Sequence, residues 1–440
     1  MFKRQSFFWW AVAALVAVRL VVMATSSVFD PSEARYATLA ANMARTGDYV
    51  VPHFIHGGVY QSFDGKPPLL FQAGGVACKL FGESEFATRL PSFLAAGLLL
   101  FILNFAAGRR AVLICATSVA FYALAGFCMT DMLLTLSVAG ALLLEDVFNR
   151  KPTRQISLCI FALLGLGMLT KGPIALVLFG LPTFLDACIN KRWGILARHS
   201  WVLGPLLFVA ISAPWYILME QRTPGFLSYF FIHENFLRFV THNYGDKYGS
   251  GREFCRGMAL VWLLVVTLPW TLFIRPKRKL PRFDLLALGL ISITAFWCLT
   301  SRIPLAYMLP TVPLFAALLA PHLTARQFSR GAIFACILAP FVLIATLLIT
   351  AQTTNKMSGR FFQKVARSLD KNEKVVYAER KYYAPEFYLG SHLVPSQTMP
   401  TNGLVLVRRK TFRKSFPPST PIRFEDKNWV VVDLGEEGKR

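Results

Sequence analysis

Three short stretches of this chain mix acids with cations in a way that could act on a phosphorylated group. Asp30 and Glu33 stand in Asp30-Pro31-Ser32-Glu33-Ala34-Arg35-Tyr36, Asp64 and Lys66 flank Gly65 ahead of Pro67-Pro68, and His233-Glu234 lie shortly before Arg238. Two single ionisable residues join them, Asp131 in Met129-Thr130-Asp131-Met132 and Lys171 in Leu169-Thr170-Lys171-Gly172-Pro173. A carboxylate within hydrogen-bond reach of a hydroxyl can take its proton. Lys, Arg or a metal ion can stabilise a departing phosphate. On that chemistry Asp30, Glu33 and Asp131 are candidate catalytic acids or bases. Lys66, Arg35 and Lys171, with Tyr36 beside them, are candidate phosphate ligands, and Asp64, His233, Glu234 and Arg238 are further substrate contacts. Each has a plainer reading: Asp30 as a helix cap, Asp131 as a turn acid, and Lys171, like Arg19, as a cation snorkelling to lipid phosphate.

The elements that must hold these residues are apolar. Of 440 residues 55% are hydrophobic and only 16% charged, and mean hydropathy is +0.47. A soluble domain carries roughly 25% charged residues, so a soluble, disordered or collagen-like chain is excluded. A helix needs about 20 mostly apolar residues to cross a bilayer. Such runs begin at residues 7–24 and recur near 88–107, 111–128, 132–148, 156–170, 174–188, 200–219, 257–274, 284–300, 304–320 and 331–350. The expected fold class is an all-α polytopic membrane protein of about 11 to 13 transmembrane helices.

The 47 Lys and Arg against 24 Asp and Glu leave a formal charge of +23. Lys3 and Arg4, Arg109 and Arg110, Arg150 to Arg154, Lys191 to Arg198, the cluster from Arg275 to Arg282, and Arg326 with Arg330 fall in every second loop. Short basic loops stay cytoplasmic, so the N-terminus is expected inside and the alternate loops outside. Nucleic-acid binding would gather these residues on one face instead, and is not expected. The first apolar run also admits reading as a cleaved signal peptide, since Ala24, Thr25 and Ser26 follow it. The eight cysteines are scattered singly, without metal spacing or a disulfide framework.

With that parity every candidate residue faces outward. Three outer segments exceed a turn: residues 26–87, residues 220–256, and the tail after 351. The first reads as helix, turn, helix, starting at Pro31-Ser32-Glu33, with Ala37, Ala40 and Ala44 on one side as in an amphipathic helix lying on the membrane. In the tail, 375–378, 404–407 and 429–432 read as strands, and 360–370 and 384–389 as helices. The expected domains are 1–350, transmembrane with the outer loops 26–87 and 220–256, and 351–440, a small α/β domain outside the membrane. The tail's Lys and Arg suit an anionic lipid or polyanion, or are ordinary solvated charge.

In family order, the stretches Asp30-Pro-Ser-Glu-Ala-Arg-Tyr-Ala37, Gly47-Asp48-Tyr-Val-Val-Pro-His53, Phe63-Asp-Gly-Lys-Pro-Pro-Leu69, Arg89-Leu-Pro-Ser92, Asp131, Leu169-Thr-Lys-Gly-Pro173, Pro214-Trp-Tyr216 and His233-Glu-Asn-Phe-Leu-Arg-Phe239 resemble the bacterial membrane glycosyltransferases of the GT-C fold. The likeness is to the branch of the lipid A aminoarabinose transferase and the protein O-mannosyltransferases. It implies an inverting enzyme of the bacterial inner membrane. Such an enzyme moves a sugar from a polyprenyl-phosphate donor to a periplasmic acceptor, lipid A or another lipid or glycan. By the resemblance Glu33 and Asp131 line the catalytic cavity and Lys66 binds the lipid phosphate, with Arg35 and Tyr36 adjacent. The chain departs from the pattern at Ser32, where an Asp is usual, which leaves the base to Asp30, Glu33 or Asp131, with Asp30 ranked first because it lies only two residues away. Gly65 and Asn235 stand where the lipid A branch carries Glu and His, a pair able to hold a divalent metal; Asp64 and His233 lie close by and are weak candidates for such a cation, a two-ligand set of low specificity. Two other functions compete: a flippase of lipid-linked sugar, for which no internal repeat is visible, and an inactive relative serving as a binding subunit.

Overall fold

A computed structural model describes residues 2–56, 59–237, 253–274, 284–354, 357–377, 382–396 and 398–435. The chain forms two compact units. Unit 1 comprises residues 1–22, 64–70 and 90–344; unit 2 comprises 23–63, 71–89 and 345–440. The tail is therefore grouped with most of the first outer loop, a division drawn differently from 1–350 and 351–440.

Unit 1 is helical. The helices Thr130–Arg150, Arg154–Lys171 and Leu203–Arg222 pack in succession, and Ile174–Ile189 and Leu285–Cys298 complete the bundle around them. Among the described residues four helices are long and apolar enough to cross a membrane: Glu85–Ala116, Arg154–Lys171, Leu203–Arg222 and Ala325–Thr353. Their outer faces are unsuited to water. Leu94, Leu98, Phe101 and Phe105 form an exposed row on the first, and Ile333, Ile337, Phe341, Ile344 and Leu348 one on the last. Lipid satisfies such rows without the cost that water would impose, and the chain is a multi-pass membrane protein.

Several expected spans are interrupted. At Gly108 the backbone leaves the helical region (φ 79°, ψ 174°), which separates the run ending near 107 from the one after Arg109 and Arg110. Residues 111–128 hold a second break at Thr117-Ser118, beyond which only Val119–Leu124 is helical. Residues 257–274 shorten to Met258–Val266 and a 3₁₀ turn, and 304–320 to Thr311–Leu319 between 3₁₀ turns. Prolines 269, 304 and 310 stand at these breaks, where each removes a backbone donor. Away from the candidate residues, Ser157 Oγ lies 3.0 Å from His199 Nδ1, and His199 Nε2 lies 3.1 Å from Glu145. These buried groups staple three segments of the bundle together.

Unit 2 contains the helix Ser32–Thr46, followed by a hairpin of β1 (His53–His56) and β2 (Val59–Ser62), antiparallel. The hairpin was not expected between two helices. The helix is buried on nearly all sides from Glu33 to Met43, so it is an interior helix of this unit rather than one resting on a surface; its alanines serve close packing. The tail folds as a five-stranded sheet of β3 (Val375–Tyr377), β4 (Leu393–Pro395), β5 (Leu404–Arg408), β6 (Ile422–Glu425) and β7 (Trp429–Asp433), in the order β4-β3-β5-β7-β6. β3 is parallel to both neighbours, and β7 is antiparallel to β5 and β6. Val405, Val407, Val430 and Val432 form its core with Phe412. The helix Gly359–Ser368 buries Phe361, Phe362 and Val365 and exposes Arg360, Lys364 and Arg367. Its Phe362 ring lies 5.2 Å from that of Trp429.

Candidate functional site

Unit 1 gathers two lysines, each held by a carboxylate. Lys66 lies in the turn after Asp64-Gly65, just before Pro67-Pro68 ends it and the helix Leu69–Phe81 begins. Its Nζ donates to Gly65 O and to Glu234 Oε1, both at 2.6 Å. The pair is largely sheltered, with side chains 17% and 3% exposed. Lys171 is the last residue of Arg154–Lys171, and its Nζ donates to Asp131 Oδ1 at 2.7 Å, with 9% and 5% exposure. The same Nζ stands 4.1 Å from the centroid of the Tyr307 ring, a cation–π contact.

Local backbone chemistry explains this placement. Asp131 belongs to the first turn of Thr130–Arg150, where a negative charge suits the helix dipole. Gly172 ends the preceding helix with φ +74°, and a Cβ there would meet Phe230 at 2.7 Å. Only glycine permits both the turn and that approach. Phe230 belongs to the π-helical stretch Tyr229–Leu237. Its wider winding faces Glu234 inward while His233 stays exposed against Tyr229, and Asn235 Nδ2 donates to Phe230 O at 2.7 Å. π-helical turns recur at functional sites for this reason: they re-aim a side chain.

A cavity of about 110 Å³ opens between these groups, lined by Lys66, Lys171, Glu234, Arg302 and Tyr307 among others. Arg302 was missed in the sequence, although it carries the signal that singled out Lys171: a cation in a turn that the charge pattern assigns to the outer side, between the runs 284–300 and 304–320. Its Nε donates to Glu253 Oε1 at 3.0 Å. Tyr307 and Trp297, also at the cavity, had no readable signal, because an aromatic residue near a span end is ordinary in a membrane protein. Three cations stand at the cavity, each paired with a carboxylate, and an arrangement of this kind suits an anion able to take the carboxylates' place.

The remaining acids lie in unit 2 and are committed to its framework. Asp30 is 1% exposed. It accepts from the backbone N–H of Tyr383 at 2.8 Å and of Ala384 at 3.3 Å, so it caps the helix Ala384–Leu389 rather than the one after Pro31. Burial pushes its pKa up to about 7, against the lowering pull of those two N–H groups. Glu33 takes a bidentate ion pair from Arg89, at 2.7 and 3.0 Å, with both side chains almost wholly buried. Arg89 also donates to the carbonyls of Met23, Ser26 and Ser27 and so clasps the chain where the first helix ends. Arg35 sits among aromatic rings, its guanidinium 5.3 Å from Tyr36, 5.8 Å from Phe63 and 5.7 Å from Tyr383. Tyr36 is buried, with its ring 5.5 Å from that of Phe71.

Arg238 lies outside the described residues. Asp64 is buried whereas His233 is exposed, and among the described residues no group of three or more His, Cys, Asp or Glu side chains could hold a metal ion.

The comparison that decides the fold is with the ArnT of Cupriavidus metallidurans bound to undecaprenyl phosphate. It superposes with a TM-score of 0.78 over 98% of both chains, at 19% identity. The chain has the GT-C fold. The oligosaccharyltransferase of Archaeoglobus fulgidus shares this GT-C architecture more distantly, with a TM-score of 0.52 at 12% identity, over 88% of this chain and 64% of that one. In sequence, the pattern of the dolichyl-phosphate-mannose-protein mannosyltransferase family matches residues 65–217. The undecaprenyl phosphate-alpha-4-amino-4-deoxy-L-arabinose arabinosyl transferase 1 of Pseudomonas fluorescens is 27% identical over 373 residues, covering 77% of this chain and 63% of the relative. The chain spans less than two thirds of the length of the curated relatives it matches.

Proposed function

We propose that this GT-C chain is an inverting glycosyltransferase of the bacterial inner membrane, which moves a sugar from a polyprenyl-phosphate donor to an acceptor at the periplasmic face. The observation that carries the reading is the cavity lined by Lys66, Lys171 and Arg302, three cations gathered at one opening in an apolar chain, each on a carboxylate that an anionic ligand can replace. Support comes from the arabinosyl transferases that resemble it in sequence and from the undecaprenyl phosphate bound to its structural neighbour. In this reading the basic loops stay cytoplasmic, 11 to 13 helices cross the bilayer, and the tail sheet stands in the periplasm with the first outer loop.

The reaction breaks the bond between the anomeric carbon and the donor's phosphate oxygen, and the phosphate leaves with the electron pair. Lys66, Lys171 and Arg302 offset the charge gained, and Tyr307 flanks Lys171. The acceptor oxygen attacks the opposite face of the same carbon. A hydroxyl acceptor must give up its proton, and Asp131 takes that role among the three candidate acids. Asp30 and Glu33 spend their oxygens on backbone N–H groups and on Arg89, whereas Asp131 holds a lysine of the cavity. No step is routed through a metal. The acceptor is a lipid A or another glycolipid, as the resemblance to the lipid A aminoarabinose transferase branch implies. Mass analysis of lipid A and surface glycans in a strain lacking this chain tests the assignment: one glycan or lipid A species should lose the mass of a single sugar, and identical spectra would contradict it.

A further inference from the structure

The tail carries a cluster of cations that glycosyl transfer does not use. In unit 2 the helix Arg409–Ser415 and the turn between β6 and β7 wall a hollow of about 440 Å³ lined by Arg409, Lys410, Arg413, Lys414 and Lys427. Two carboxylates stand beside it. Glu425 takes a 2.7 Å bond from Arg409 Nη2, and Asp426 spends Oδ1 on the N–H groups of Asn428 and Trp429. Five cations therefore face one hollow with two acids at hand. Such a concentration of like charge disfavours the compact state unless an anion occupies it.

The hollow has a position as well as a charge. Lys427 Nζ donates to the carbonyls of Ala351, at 3.0 Å, and Gln352. These belong to the last turn of Ala325–Thr353, the most apolar of the four long helices. A lysine that satisfies the final carbonyls of a membrane span stands at the headgroup level, and the cations around it stand there too. We propose that this hollow binds the phosphate headgroup of an anionic membrane lipid and so fixes the tail sheet to the bilayer surface at the end of that span. Juxtamembrane basic clusters bind anionic lipid in this way, and strongly enough for a few residues to matter.

The test uses the full-length chain purified in a neutral detergent, titrated with phosphatidylglycerol, with bound lipid counted by native mass spectrometry. The exposed triple variant K410A/R413A/K414A should bind phosphatidylglycerol roughly a hundredfold more weakly at low salt, about fivefold for each charge removed. The charge-preserving variant K410R/R413K/K414R should stay within about threefold of wild type, which separates lost charge from lost folding. Raising salt from about 50 to about 500 mM should weaken wild-type binding and leave the alanine variant little changed. Equal binding by wild type and the alanine variant would overturn the proposal. So would equal affinity for phosphatidylcholine, or displacement of the lipid by about millimolar inorganic phosphate, which would mark a free-anion site.

Discussion

Removing the Lys66 ammonium should weaken phosphate binding more than any other single change at the cavity. Its Nζ is 2.6 Å from Glu234 Oε1 in a pair only 17% and 3% exposed, so the resting state holds the charge on a carboxylate that a phosphate must replace. A hydrogen bond to a charged group contributes about 1.5–3 kcal/mol, and about 1.4 kcal/mol is tenfold in affinity. Lys66→Ala should therefore raise the Kd for undecaprenyl phosphate by roughly 10- to 150-fold. Glu234→Gln acts in the opposite sense: it removes the competitor while keeping the lysine, and affinity should hold or improve. Trp297 lines the same cavity, so quenching of its fluorescence on titration of the purified chain reports both variants. A Lys66→Ala Kd within about threefold of wild type, with folding intact, would refute the assignment of this cavity to the phosphate, and a large loss in Glu234→Gln would refute the exchange of partners.

Other expectations follow from the same contacts. Asp131→Asn should lower transfer by orders of magnitude and also cost about 3–5 kcal/mol of stability, because it leaves Lys171 buried without its counter-charge; adding Lys171→Met should restore the melting temperature but not the turnover. Glu33→Gln should destabilise unit 2 by a similar amount through Arg89, visible as early proteolysis of the tail. Asp30 has a folded pKa of about 7 against an ordinary 3.8. The native state therefore binds more protons than the unfolded one between those values, and this group's contribution to stability is fully present below pH about 4 and lost as pH rises through about 7. Wild type should gain about 2–3 kcal/mol on acidification from about pH 8 to about pH 5 relative to Asp30→Asn, read as the difference in melting shifts.

The membrane character, the breaks between apolar runs at Asp131 and Lys171, and three of the five tail strands were legible in the sequence. Each rests on composition or local spacing. Hydrophobic runs of span length, a lysine on the wrong side of the charge pattern, and alternating Val and Leu between turns are local signals. The pairing of Lys66 with Glu234 was not legible, since the partners are far apart in the chain and meet only because a π-helical turn re-aims one of them. Asp30 and Glu33 stood out as candidates because ionisable residues beside a span are costly. The partners that offset that cost were not legible, because they lie far off in sequence: the N–H groups of residues 383 and 384 and the Arg89 guanidinium. Arg302 could have been found, because it breaks the charge rule as Lys171 does.

The central claim is that this chain transfers a sugar from a polyprenyl phosphate rather than carrying the lipid across the bilayer. Purified chain in proteoliposomes, given radiolabelled polyprenyl-phosphate sugar and lipid A, tests it directly. Label should appear in the acceptor with wild type and fall by orders of magnitude in both Lys66→Ala and Asp131→Asn. Label crossing the bilayer while still attached to its polyprenyl phosphate, with none in the acceptor, would contradict the account.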